Sequence, residues 1–253
     1  KGNSIIPCEY ESIFDFYDSI ALVKKNSKYG FISMEGKEII PCDYDKILWN
    51  KKKYNYFPGG KALVQKNGKY GIIDRSGAVV VDCQYDWEFY LPFLSKYSRV
   101  IQNGKKGLID KTGKQVLPCL YDEIHWENDT AKNACNPPEI RYKILFAVQS
   151  LNQWGMVDEN NSIIIPLKYE DIGIFTWGLA AAKLNGKWGY IDYRDSTMIS
   201  FNFDYCEKFR KNLAIAGISS LDTTSNKTII KAGLINKKGE AVLPLKYTIS
   251  YMP

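Results

Sequence analysis

One glycine recurs through this chain, and the residues at fixed distances from it recur with it. The copies are Gly30, Gly71, Gly107, Gly155, Gly189 and Gly233. Eleven residues after each stand Pro41, Asp82, Pro118, Pro166, Ser200 and Pro244; fourteen after each stand Tyr44, Tyr85, Tyr121, Tyr169, Phe203 and Tyr247. Pro7 and Tyr10 keep the same relative spacing, so residues 1–13 read as a partial further copy. Successive glycines lie 41, 36, 48, 34 and 44 residues apart, which sets a minimal unit of about 34 residues. Self-similarity at such a period means stacked supersecondary units, none of which buries its apolar face alone. Residues 1–253 therefore read as a single repeat domain.

Within each copy the pattern predicts three short strands. Strand a is Ala21–Lys24, Ala62–Gln65, Arg99–Gln102, Phe146–Gln149, Ala180–Lys183 and Leu213–Ala216. A polar turn follows, as at Asn67-Gly68, Asn103-Gly104 and Asn185-Gly186, where both residues accept the positive φ of a tight hairpin. Strand b carries the glycine and closes on Asp74, Asp110, Asp158 or Asp192, with Ser33 and Asn236 in the other copies. These side chains are placed to accept backbone N–H groups of the next turn. Strand c is a short apolar run such as Val79–Val81 or Ile163–Ile165, expected to end at the Pro position, because Pro cannot donate to a ladder.

The two residues after every glycine are apolar, from Phe31-Ile32 to Leu234-Ile235, so strands b and c read as buried on both faces between neighbouring sheets. Strand a is rich in alanine, which suits sheets that converge closely. The fold class is therefore all-β: six three-stranded units plus the partial copy, β-propeller-like. The alternative is a β-solenoid or open superhelix.

Four of the six cysteines (Cys8, Cys42, Cys83 and Cys119) share one repeat position, where later copies put Leu167, Phe201 and Leu245. A position that accepts Cys, Leu or Phe is a packing position, so these read as buried thiols. No Cys-x-x-Cys pair occurs and His125 is the sole histidine, which argues against zinc. Unpaired thiols favour a cytoplasmic setting. Export stays open, because the chain begins inside a partial copy. The net charge of +6 is too mild to mark a nucleic-acid binder, and no run of apolar residues is long enough for a membrane span.

The phrase Asn-Gly-Lys-Trp-Gly-Tyr-Ile-Asp at residues 185–192, with Ile165, Pro166, Tyr169 and Glu170 as a downstream Ile-Pro-x-x-Tyr-Glu, resembles the WG-repeat family of mainly bacterial proteins. The resemblance covers nearly the whole chain. The namesake Trp stands at Trp154 and Trp188 and is replaced by Tyr29, Tyr70, Lys106 and Ala232 elsewhere. The family carries no common enzymatic activity; the resemblance implies a scaffold that binds other molecules.

The interruptions of the repeat are where function is expected. From the downstream aromatic to the next strand a, three joints run 11 residues, whereas Tyr44 to Ala62, Tyr85 to Ser98 and Tyr121 to Phe146 run 18, 13 and 25. Insertions at one joint map to one face of a repeat protein. The expanded segments 45–61, 86–97 and 122–145 hold Trp49, Lys52, Tyr54, Tyr56, Phe57, Trp87, Phe89, Tyr90, Trp126 and Tyr142, which are the candidate binding residues. Two readings stand: these aromatics fold back onto the scaffold, or they form a recognition surface. No phosphate loop, nucleophile elbow or metal-ligand spacing occurs, and no catalytic residue, metal or cofactor is assigned. The expected function is a non-enzymatic scaffold for a protein or peptide partner. The alternative is a carbohydrate-binding module or hydrolase using a central depression.

Overall fold

Each copy of the phrase folds into an antiparallel meander whose turns are set by residues that tolerate left-handed backbone. The computed structural model describes residues 9–48, 55–86, 96–126, 137–141, 143–222 and 227–249. The first sheet is β1 (Ser12–Tyr17), β2 (Ile20–Lys25), β3 (Lys28–Ser33) and β4 (Glu38–Tyr44). The second is β5 (Lys46–Leu48), β6 (Lys61–Lys66), β7 (Lys69–Asp74) and β8 (Val79–Tyr85). The third has three strands, β9 (Tyr97–Gln102), β10 (Lys105–Asp110) and β11 (Gln115–Tyr121). The fourth is β12 (Glu123–His125), β13 (Leu145–Ser150), β14 (Gln153–Asp158) and β15 (Ile163–Tyr169). The fifth is β16 (Asp171–Ile172), β17 (Ala180–Leu184), β18 (Lys187–Ile191) and β19 (Thr197–Phe203). The sixth is β20 (Tyr205–Cys206), β21 (Leu213–Asp222), β22 (Lys227–Asn236) and β23 (Ala241–Thr248).

The fold is all-β, with six small antiparallel sheets built like propeller blades. Antiparallel pairing throughout the described residues distinguishes them from the parallel coils of a β-helix. Every predicted strand a and b is present. Two features differ from the three-stranded expectation. The joint after each downstream aromatic adds a short fourth strand in five sheets, pairing with strand a, as Lys46–Leu48 does with Leu63–Gln65. Strand c also continues beyond the Pro position to the aromatic.

That continuation is a wide bulge. Tyr29 pairs with Tyr44 and Phe31 with Ile40, so Gly30 alone faces Pro41, Cys42 and Asp43. The same offset recurs at Tyr70–Tyr85 and Ile72–Val81, at Trp154–Tyr169 and Met156–Ile165, and at Trp188–Phe203 and Tyr190–Ile199. A Cβ on Gly30 would lie 2.4 Å from the Ile40 carbonyl oxygen, and one on Gly71 would lie 2.5 Å from that of Val81. The repeat glycine is therefore a close-approach position: the bulged backbone occupies the space a side chain would need. Pro41 sits within an edge strand, where its missing N–H is harmless.

The turn from strand b to strand c is capped as its composition predicts. Asp74 Oδ1 accepts the N–H groups of Ser76 at 2.8 Å and Ala78 at 3.0 Å, and Asp158, Asp192 and Asn236 repeat the pattern. Left-handed backbone follows at Gly36, Gly77, Gly113 and Gly239, and at Asn161 and Asp195 in the other two copies.

The described residues group into two compact units, residues 1–119 and 120–253. In the first, Leu22, Phe31, Ile40 and Tyr44 of sheet one pack on Ala62, Val64 and Ile73 of sheet two. Leu63, Ile72, Val81 and Tyr85 then pack on Val100 and Ile109 of sheet three. In the second unit, Ala147, Met156, Ile165 and Tyr169 pack on Ala180, Ala182 and Ile191. Ala181, Tyr190 and Ile199 pack on Ala214, Ala216 and Ile235. Small residues of strand a therefore meet large ones of the preceding sheet. Strand b is buried on both faces in the first five sheets, as expected, but strand c, of which the same was expected, is buried mainly at the Ile40 and Tyr44 positions, because it is an edge. The Cys position packs beside the bulge: Cys42 lies against Ala21, Val23 and Ile32, Cys83 against the core between sheets one and two, and Cys119 against that between sheets two and three. Cys42, Cys83 and Cys119 are free and half-buried rather than fully buried, and burial pushes their thiols up in pKa. Cys8 lies outside the described residues.

Polar clamps lock successive sheets. Tyr121 Oη donates to Asn161 Oδ1 at 2.6 Å and Tyr169 Oη to Asp195 Oδ1 at 2.6 Å, so the downstream aromatic of one copy holds the turn of the next. The acidic residue after that aromatic accepts from the Lys two residues before the repeat glycine: Lys28 to Asp45, Lys69 to Asp86, and Lys187 to Asp204 at 2.5 Å. It also accepts from the next copy's hairpin, as Asp204 does from the Ser219 N–H at 2.7 Å. The lysines hold Asp45, Asp86 and Asp204 below the usual carboxylate range.

Two outcomes follow. Gly71→Ala drives a Cβ into the bulge and lowers unfolding free energy by about 3 kcal/mol. Gly68→Ala, whose added Cβ meets open space at φ 76°, loses only about 1 kcal/mol; urea midpoints separate the two. Because the three clamp carboxylates titrate lower folded than unfolded, their stabilisation is complete above about pH 4 and is lost as pH falls through their folded values. Thermal midpoints should drop in that acid window, and less so in Asp45→Asn.

Candidate functional site

Of the ten candidate binding residues, three are described. Tyr56 and Phe57 are buried, at 2% and 7% exposure, and Trp126 is half-buried just after β12. Trp49, Lys52, Tyr54, Trp87, Phe89, Tyr90 and Tyr142 lie outside the described residues. Tyr56 and Phe57 follow the fold-back reading. Their joint turns through Pro58–Gly60, with left-handed φ at Gly59 and Gly60, and returns both rings to the core of the first unit. Phe31 meets Tyr56 edge-on at 5.1 Å and Phe57 at 5.1 Å. The Tyr56 hydroxyl donates to the Asp15 carbonyl at 2.8 Å, and the Phe57 N–H donates to Asn55 Oδ1 at 2.8 Å.

Above this anchored pair opens a cleft of about 330 Å³, lined by Tyr17, Asp18, Ile20, Asn55, Tyr56, Phe57 and Arg75. Tyr17 stands 5.4 Å from Tyr56, ring to ring, and donates to Asp15 Oδ2 at 3.3 Å. Arg75 Nη1 lies 2.5 Å from Asp18 Oδ2, while its other nitrogen donates to the Asp18 carbonyl. Asp18 and Ser19 both hold positive φ, of 55° and 67°, as the turn between β1 and β2. Two non-glycine residues in that region carry strain that the surrounding contacts must sustain. The cleft thus combines two tyrosine faces, an amide and one guanidinium on a packed floor. Its one lining carboxylate is held by Arg75.

Sequence reasoning missed Tyr17, Asp18 and Arg75. Tyr17 and Asp18 lie in the joint from Tyr10 to Ala21, which has the minimal length and carries no insertion, and Arg75 lies in the turn from strand b to strand c of the second copy. Arg75 occupies a position that is Met34, Lys111, Glu159, Tyr193 and Lys237 in the other copies. Lys237 repeats part of the arrangement in the second unit, donating to the Trp177 carbonyl at 2.8 Å with its ammonium 5.7 Å above that ring. A basic residue reaching back to the preceding copy's turn is the available sequence signal.

The repeated aspartates cap their own turns, and no group of three or more metal-ligating side chains occurs among the described residues. His125 is exposed, with its ring 4.9 Å from Trp154. No helix among the described residues is long and apolar enough to cross a membrane.

A family model described as the WG containing repeat matches residues 1–29, 29–70, 70–105, 107–132, 154–188 and 188–218. The chain belongs to this WG-repeat family. The structure gives the family phrase a physical meaning. The WG aromatic and the downstream aromatic pair across the bulge, Trp154 with Tyr169, Trp188 with Phe203, and Tyr29 with Tyr44, flanking the glycine that admits it. No curated protein matches the chain. Among solved structures it is similar to a eukaryotic initiation factor, at 12% identity and TM-score 0.42, covering 92% of this chain and 64% of that one. The WG-repeat chain therefore spans less than two thirds of that protein's length. It is also similar to the WD40 domain of SCAP from fission yeast, at 10% identity and TM-score 0.31, covering 91% of this chain and 70% of that one.

Burial pushes the Tyr56 hydroxyl up to about 12. Its folded value exceeds its unfolded one, so its stabilisation is full below about pH 10 and is lost as pH rises towards 12. Tyr56→Phe should cost about 1 kcal/mol through the lost hydrogen bond and flatten that alkaline decline. Tyr56→Ala should cost about 4 kcal/mol. Chemical denaturation across the alkaline range measures both.

Proposed function

We propose that this WG-repeat chain is a non-enzymatic scaffold that binds a protein or peptide partner through the face bearing segments 45–61, 86–97 and 122–145. One observation carries the reading: the cleft beside the first expanded joint has an immobilised aromatic floor, with Tyr17, Asn55 and Arg75 at its rim. Tyrosine and arginine offer large contact area and directional donors at low conformational cost, which suits recognition of a peptide side chain and its backbone. A floor fixed by the Tyr56 and Phe57 packing means that little is ordered on binding. Asp18, engaged by Arg75, has no second carboxylate among the lining residues with which to divide acid and base roles.

Panning a phage-displayed random peptide library on the immobilised chain tests this. Enriched peptides should bind Tyr17→Ala and Arg75→Ala at least tenfold more weakly, with thermal midpoints nearly unchanged. Failure to enrich peptides, or equal binding to both variants, overturns the cleft as the binding site.

A further inference from the structure

The polar groups around the cleft of sheets one and two are unequally engaged. Both tyrosine hydroxyls are committed to one residue, Tyr56 to the Asp15 carbonyl at 2.8 Å and Tyr17 to Asp15 Oδ2 at 3.3 Å, so these residues contribute rings. Asn55 Oδ1 accepts the Phe57 N–H at 2.8 Å, which leaves the amide N–H groups of Asn55 with no partner among the described residues. Arg75 spends one N–H of each terminal nitrogen, on Asp18 Oδ2 at 2.5 Å and on the Asp18 carbonyl. A guanidinium carries five N–H groups in a fixed fork. The edge formed by Nε and a terminal nitrogen of Arg75 is therefore unengaged by any described residue. The uncommitted groups of Asn55 and Arg75 are thus all donors. Asp18 is the one lining carboxylate, and Arg75 already holds one of its oxygens. The neighbouring pair of sheets is basic at the same kind of contact: Lys61 donates to the Lys111 carbonyl, a cation again bridging a joint and the following b–c turn.

We propose that the cleft recognises a carboxylate of its peptide partner, from an acidic side chain or a chain end. This rests on the peptide-binding reading above and names the group that Arg75 selects. A carboxylate matches the open edge of the guanidinium with two parallel N–H···O bonds, both charge-assisted. A neutral amide brings one acceptor oxygen to the same two N–H groups, and an ammonium meets Arg75 with like charge. The rings of Tyr17, Tyr56 and Phe57 cover the apolar stem of the bound residue, and the Asn55 amide donates to a peptide carbonyl beside it. Asp18 acts in two opposed ways. Its contacts hold the guanidinium in place before the partner arrives, which lowers the ordering cost of binding. Its charge also offsets part of the attraction for an incoming anion. Because the Asp18 side chain is 82% exposed, that offset is small. Asp18 stands at φ 55°, a backbone region that Asn tolerates equally, so Asp18→Asn removes the charge and keeps the turn. Lysine does not replace Arg75, because a point charge presents no edge.

Fluorescence anisotropy of the 253-residue chain with four pools of labelled heptapeptides tests this. Three pools are blocked at both ends and carry Glu, Gln or Lys at the centre among random neighbours. The fourth has a central Gln and a free C-terminal carboxylate. The Glu pool should bind about fivefold tighter than the Gln pool, and the Lys pool more weakly than either. Arg75→Ala should bring the Glu-to-Gln affinity ratio to about one, Arg75→Lys should lower it, and Asp18→Asn should raise it about threefold. A variant that folds poorly weakens every pool together and keeps the ratio, so the ratio separates recognition from lost structure. An Arg75-dependent gain for the fourth pool alone assigns the carboxylate to a chain end. Equal binding of the Glu, Gln and free-carboxylate pools, a preference for the Lys pool, or a Glu preference that survives Arg75→Ala overturns the carboxylate assignment and leaves the peptide reading standing. Binding of none of the pools overturns both.

Discussion

The contact between the repeat glycine and the bulged strand beside it governs the rest of the architecture. With no Cβ at Gly30 or its counterparts, a carbonyl of strand c takes the place a side chain would fill. The strand thereby gains two residues over its partner and turns its backbone before rejoining the ladder at Tyr44. That detour delivers the downstream aromatic to the edge of the sheet, where its hydroxyl reaches the next copy's turn at Asn161 or Asp195. It also delivers the following carboxylate to the lysine of its own strand b and to the next hairpin. One missing methyl group per copy thus sets both the internal register and the linkage to the neighbour.

Much of this was legible in the sequence because it rests on local chemistry. The Asn-Gly hairpins, the Asx-capped turns and the alanine-rich strand a each follow from residues whose preferences dominate their surroundings. The fourth strands escaped notice because segments such as Asp171–Ile172 and Tyr205–Cys206 are too short to show periodicity. Strand c looked finished at Pro41 because proline normally interrupts a ladder; a bulge at an edge removes that conflict. At the site, Tyr56 and Phe57 were visible as aromatics in a long joint, but their inward orientation depends on tertiary packing against Phe31. Arg75 and Asp18 carry no signal beyond a basic residue at the turn position that Lys237 also fills, since their meeting depends on how two sheets stack.

The charged groups of the repeat are largely engaged with one another. Aspartates at the b–c turn hold backbone N–H groups, and those after the downstream aromatic hold lysines and the adjoining hairpin. Chemistry that recurs in every copy therefore serves construction. The cleft at Tyr17 and Arg75 stands out because it breaks the pattern, with a guanidinium at a position that the other copies fill differently.

The clamps join residues close in sequence, such as Lys28 to Asp45 or Tyr169 to Asp195, so the order they impose is assembled over short chain segments. The joints between them contribute mainly chain entropy, which rises only with the logarithm of length. Lengthening a joint from 11 residues to the 25 between Tyr121 and Phe146 raises the closure cost by about 0.7 kcal/mol. A clamp and a bulge in each copy readily offset that amount. Such a chain is free to acquire new loops one joint at a time without renegotiating its framework, and folding rates should respond weakly to what those loops contain.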